Sequence, residues 1–174
     1  VSKLAGATFQ YYGISTWEIE VLYDTLKRSF EVEELQLQPD DPRYVSMIEI
    51  GFPLPYDESF FRTFTMDSWF KVKGVIKDVK RRRGRKGLKA FVRFGGTPAV
   101  TFPLLSKGDR QFEMGIEKLE YLVDIVPMQL KAIPVGTEEV LFSYDEVTYR
   151  WSPSVAKTKD DKNYFFRNNE WKMK

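Results

Sequence analysis

The feature that most restricts what this chain can become is a basic stretch, Lys71 to Arg93, where 11 lysines and arginines meet a single acid, Asp78. Like charges at that density repel one another. The stretch must therefore lie in water, find carboxylates elsewhere in the chain, or meet a polyanion. Residues 18–67 carry 12 acidic and 4 basic groups, so a source of internal carboxylates exists. The formal charge of +2 for the whole chain conceals this asymmetry.

Composition narrows the chemistry. The 174 residues include no cysteine and no histidine. That removes disulfides, thiolate and imidazole metal sites, cysteine nucleophiles and every Ser–His or Cys–His catalytic arrangement. Gly84 and Gly87 do not form a GxxxxGK[ST] phosphate loop, and no motif asks for a cofactor. No apolar run reaches the roughly 18 to 20 residues that span a bilayer. The expectation is a cytoplasmic protein with no transmembrane segment.

Periodicity predicts an α+β fold: a mainly antiparallel sheet with two helices packed on one face. A helix is expected near 15–29, where Ser15 or Thr16 can cap and Ile19, Leu22, Tyr23, Leu26 and Phe30 recur at helical spacing. A second is expected at 112–126, stopped by Pro127. Val32–Gln38 and Val45–Phe52 resemble a hairpin turning at Pro39–Pro42, and Val140–Tyr144 with Val147–Trp151 another. Residues 1–153 are expected to form one domain, and 154–174 a basic, aromatic-containing segment.

Residues 69–79 and 88–94 alternate apolar and polar, which predicts the two arms of a basic β-hairpin whose tip holds Arg81, Arg82, Arg83, Arg85 and Lys86. On that reading Lys71, Lys73, Lys77, Lys89 and Arg93 line an outward face and Trp69 and Phe91 lie among them. Cations beside rings suit RNA or DNA, the cations holding phosphates while the rings stack on bases. The expected function is non-catalytic nucleic-acid binding.

Within this stretch Ala90-Phe91-Val92-Arg93-Phe94 resembles the second half of the ribonucleoprotein-motif strand of the RNA-recognition motif family, and Lys86-Gly87 its opening. The resemblance implies an RNA-stacking role for Phe91 on an open sheet face. It covers about nine residues, has Lys89 where the family places an aromatic, and carries no family assignment.

The alternative is a protein-interaction or oligomerisation module in which the acidic and basic surfaces pair, within one molecule, in a homo-oligomer or with a protein partner. Glu113, Glu117, Glu120 and Asp124 share one side of the second helix, where they read as its wet face rather than a cation site.

Overall fold

The computed structural model describes residues 5–173, which contain both helices and strands. In chain order these are β1 (Gly6–Tyr12), α1 (Thr16–Lys27), β2 (Glu31–Gln36), β3 (Ser46–Phe52), α2 (Glu58–Thr63), α3 (Met66–Arg83), β4 (Leu88–Phe94), β5 (Ala99–Leu104) and α4 (Asp109–Glu117). A 3₁₀ segment (Leu119–Asp124), α5 (Val126–Gln129), β6 (Thr137–Asp145), β7 (Arg150–Thr158), β8 (Asn163–Arg167) and β9 (Glu170–Met173) follow.

All nine strands join one sheet in the order β2-β1-β3-β4-β5-β6-β7-β8-β9. The sheet is mixed, which corrects the expectation of a mainly antiparallel one. The pairs β1/β2, β3/β4 and β5/β6 are parallel and each is bridged by helical chain; β1/β3, β4/β5 and the pairs from β6 to β9 are antiparallel. The proposed pairing of 32–38 with 45–52 does not form, because β1 lies between β2 and β3. β7 runs unbroken across Pro153, and β8 and β9 extend the same sheet, with Trp171 packed against the core.

The helix at 16–27 follows its sequence signals. The Glu18 N–H donates to Ser15 Oγ (3.2 Å), and the Ser15 N–H donates to Glu18 Oε1 (2.7 Å), a reciprocal cap. The largest correction falls on 69–79, which lie inside helix α3 and not in a hairpin arm. Trp69, Val72, Ile76 and Val79 are buried, and their spacing of three and four satisfies a helical stripe as well as the alternation satisfied a strand. Local signals decide for the helix. Thr65 Oγ1 accepts from the Ser68 N–H, Asp67 occupies the first turn, and Lys80 to Arg83 occupy the last, complementing the helix dipole at both ends. The expected helix over 112–126 is instead α4, a 3₁₀ segment and α5 in succession, and Pro127 sits in the first turn of α5 rather than ending a helix.

The helices form a single layer, with α3 between α1 and α4. Ala7, Phe9, Ile48, Ile50, Val92, Phe102 and Val140 point from the strands into the same core as Leu22, Val72, Ile76, Phe112 and Ile116 from the helices. β1-to-β2 and β3-to-β4 start from antiparallel strands and step in opposite directions, so they share one hand. β5 runs as β1 does but steps the other way beneath the same helix layer, so its crossover has the opposite hand.

Aromatic rings fill the middle of the core. Phe52 packs against Phe30, Phe60, Phe64 and Phe94 at centroid distances of 4.7 to 5.8 Å. Trp69 is 0% exposed within this cluster, and its indole N–H donates to Glu120 Oε1 at 3.2 Å. Replacing Trp69 with Ala removes a large buried ring and strands part of that carboxylate. The expected loss is about 3 to 5 kcal/mol of stability, read from urea denaturation of the two proteins.

Candidate binding surface

The cations of α3 are mostly committed to the helix layer. Glu18, only 1% exposed, receives Arg82 Nη1 and Arg83 Nη2, each at 3.0 Å. Arg83 also donates to Ser46 Oγ and to the Gly13 carbonyl, so it ties α3 to the ends of β1 and β3. Gly13, at φ +67°, lies hard against the Val45 carbonyl, where a side chain would not fit. Arg81 bridges Asp78 and Glu113, and Lys77 pairs with Glu117. Lys80, fully buried, donates to Asp109 Oδ1 (2.7 Å) and to the carbonyls of Gly84 and Lys107. Lys73 meets Glu120 at 2.5 Å and Glu117 at 3.2 Å. The acidic row expected on a wet helix face thus supplies counter-charges to α3, and Glu120 is buried.

The structure therefore separates the sequence-predicted site residues. Trp69, Lys71, Lys73, Lys77, Arg81, Arg82 and Arg83 all lie on α3, in the helix layer. Lys89, Phe91 and Arg93 lie on β4, on the opposite face of the sheet from buried Ala90, Val92 and Phe94. Arg85 and Lys86 sit in the turn just before β4. Among the described residues, Lys71, Arg85, Lys86 and Arg93 enter no ion pair, whereas Lys89 pairs with Asp40 at 2.7 Å.

The sheet face away from the helices is a long surface. Its register places Thr8, Gly51, Arg93, Thr101, Leu141, Val155, Phe165 and Lys172 in one row across successive strands. Arg93 stands exposed between two small neighbours, Gly51 and Thr101. A side chain at position 51 would collide with Thr8 Oγ1, so this stretch of the row is shallow. In the adjoining row half-buried Phe91 lies between Glu49 and Pro103. The loop from 37 to 45 closes one end of this face: the Tyr12 hydroxyl donates to the Tyr44 carbonyl, Asp40 meets Lys89, and the Tyr44 hydroxyl donates to the Leu105 carbonyl.

Beside this row the sheet opens. β5 and β6 pair only over Ala99–Thr101 and Glu139–Leu141, and then diverge. The gap is a cleft of about 230 Å³ lined by Pro103, Leu104, Leu105, Ser106, Phe142, Ser143, Tyr144 and Glu146. Tyr144 Oη is buried without a hydrogen-bond partner, the one such side-chain atom among the described residues. Burial, reinforced by the charges of Glu146 and Asp145 and by Tyr149, raises its pKa above the ordinary phenol value. Sequence reasoning missed this residue, since a tyrosine in an alternating strand carries no mark of an unmet hydroxyl.

No known protein family, curated protein or solved structure matches the chain. Among the described residues no helix is long and apolar enough to cross a membrane.

Two stability predictions follow from the helix-layer charges. Lys73→Met leaves Glu120 as a buried carboxylate without its ammonium and is expected to cost about 3 to 5 kcal/mol, whereas the double variant Lys73→Met/Glu120→Leu recovers much of the loss; urea midpoints measure both. Burial alone would raise the Glu18 pKa, but hydrogen bonds from Ser15 and the neighbouring Arg83 outweigh it, and the pKa falls below the ordinary 4.5. A carboxylate with a lowered folded-state pKa stabilises the fold above its unfolded value and loses that contribution as pH drops through the folded value. Thermal melts should therefore show the parent losing stability below about pH 4.5 more steeply than Glu18→Gln.

Proposed function

We propose that this protein is a non-catalytic binder of single-stranded nucleic acid, and that the strand lies on the open sheet face rather than on the helix bearing most of the basic stretch. The observation that carries this reading is the pairing of Phe91 and Arg93, two residues apart on the open side of central strand β4, with Arg93 exposed and, among the described residues, outside every ion pair. A ring on an uncovered sheet offers a stacking platform to a base, and an adjacent guanidinium without a carboxylate offers a phosphate contact. The short likeness of 90–94 to the strand of the RNA-recognition motif family supports the same arrangement. Arg85 and Lys86, also outside ion pairs among the described residues, add positive charge where the chain enters β4. Arg81, Arg82 and Arg83 have structural partners, and in this reading they hold the scaffold.

A protein partner is the second reading, favoured by Tyr121, Ile125 and Met128, each more than half exposed along the 3₁₀ segment and α5. Size-exclusion mass measurements at low and high salt test its self-association form.

Fluorescence anisotropy with labelled RNA and DNA oligonucleotides tests the first reading. Phe91→Ala is expected to weaken binding by about 1 to 3 kcal/mol, the usual worth of one stacked base. Arg93→Gln is expected to make the slope of log affinity against log salt shallower by about 0.7, as for one lost phosphate contact. Affinities and slopes equal to the parent's in both variants would remove the open face from the proposal.

A further inference from the structure

We infer that the strand held by Phe91 and Arg93 continues across the open face toward β8, where Phe165 is a second stacking platform flanked by Lys157, Arg167 and Lys172. The inference rests on the nucleic-acid reading above and gives it a direction and a second point of contact.

Register is the first argument. Arg93, Thr101, Leu141, Val155 and Phe165 are successive cross-strand partners, so Phe165 stands in the row of Arg93, four strands away. Its neighbours fix its face. Val140, Phe142 and Ala156 are buried in the core side of the sheet, and Trp171, the partner of Phe166, packs against the same core, so Leu141, Val155 and Phe165 point the other way. Phe165 is half-buried and borders an open hollow of about 420 Å³ with Asp161, Lys162, Asn163 and Met173. Leu141 and Val155, also half-buried, give the floor between the two ends an apolar surface.

Charge is the second argument. The Arg167 guanidinium lies 6.0 Å from the Phe165 ring centroid, Lys172 is the cross-strand partner of Phe165, and exposed Lys157 stands two residues beyond Val155 on β7. Among the described residues Lys157 and Arg167 enter no ion pair. Lys172 meets Glu170 at 3.6 Å with both side chains in water, a pair that salt screens. The other acid facing this way is Glu139, which accepts from the Thr101 hydroxyl. In the opposite direction from β4 the open face is acidic. It presents Glu49 on β3 and Glu31 and Glu33 on β2, since Val32 between them packs against the core. A phosphate backbone is drawn to the first half of the face and repelled by the second.

Span is the third argument. Four strand spacings and an offset of two residues place Phe165 about 20 Å from Phe91. A stacked strand rises about 3.4 Å per nucleotide, so the two rings are about six nucleotides apart, within the roughly 4 to 16 nucleotides that one single-strand-binding fold covers.

The test follows the anisotropy of labelled oligothymidines of 3 and 12 nucleotides. The variants are Phe165→Leu, which removes the ring but keeps an apolar side chain in β8, Lys157→Gln, and Leu35→Ala on the acidic half of the face. Phe165→Leu is expected to bind the 12-mer about fivefold or more weakly than the parent with an unchanged salt slope. Lys157→Gln is expected to make the slope of log affinity against log salt shallower by about 0.7, and Leu35→Ala to match the parent. The preference for the 12-mer over the 3-mer is expected to shrink in Phe165→Leu, because only the longer strand reaches both rings. Lys157→Gln changes an exposed side chain, so it keeps the test decisive if Phe165→Leu does not fold. Affinities and slopes equal to the parent's in both Phe165→Leu and Lys157→Gln would overturn the β8 contact, and a loss of affinity in Phe91→Ala, measured alongside, would then keep the open-face reading around β4. A loss in Leu35→Ala as large as that in Phe165→Leu would overturn the direction. Should the parent bind neither oligonucleotide, the function reading falls and this inference with it.

Discussion

The helix layer depends on the neutralisation of α3 by its neighbours. Lys71, Lys73, Lys77, Lys80, Arg81, Arg82 and Arg83 make this helix strongly cationic, yet Lys73 and Lys80 are buried. Such burial is tolerable only where each ammonium meets carboxylates or carbonyls. Glu18 from α1, Asp109, Glu113 and Glu117 from α4, and Glu120 from the 3₁₀ segment beyond it converge on α3 from two sides. Their positions fix where α1 and α4 lie, and the crossovers then place β1 to β6 beneath them. The arrangement also leaves the other sheet face without a helical cover among the described residues, which is why a binding surface can be sought there.

Several elements were legible in the sequence because their signals were local. Ser15, one of the two residues expected to cap, does cap α1, and 46–52 and 88–94 are strands at almost the expected bounds. The basic stretch was harder. Between Trp69 and Lys80 the apolar residues fit periods of 2 and 3.6 equally, and the charged tip of the supposed hairpin is the last turn of a helix. Thr65, Asp67 and the final run of cations held the answer. Strand order was not legible, since the insertion of β1 between β2 and β3 depends on long-range pairing.

The candidate surface was legible in part for the same reason. Alternation correctly assigns Phe91 and Arg93 to the side opposite Ala90, Val92 and Phe94, because β4 is a strand. Applied to Trp69, Lys73 and Lys77 it gives the wrong environment, because those residues share a helix with a buried stripe. Charge counting also has a limit here: it records the surplus in 71–93 but not that Glu18 and Asp40, from the acidic segment, return to meet it.

The brevity of the β5/β6 ladder has a mechanical consequence. Three residue pairs join a five-stranded blade, β2 to β5, to a four-stranded blade, β6 to β9. Such a seam carries fewer backbone hydrogen bonds than its two flanking ladders, so a change of angle between the blades would disturb less of the sheet there than at β4/β5 or β6/β7. Because Tyr144 stands on one blade and Pro103 on the other, any change in the angle between them widens or narrows the space that separates these two residues.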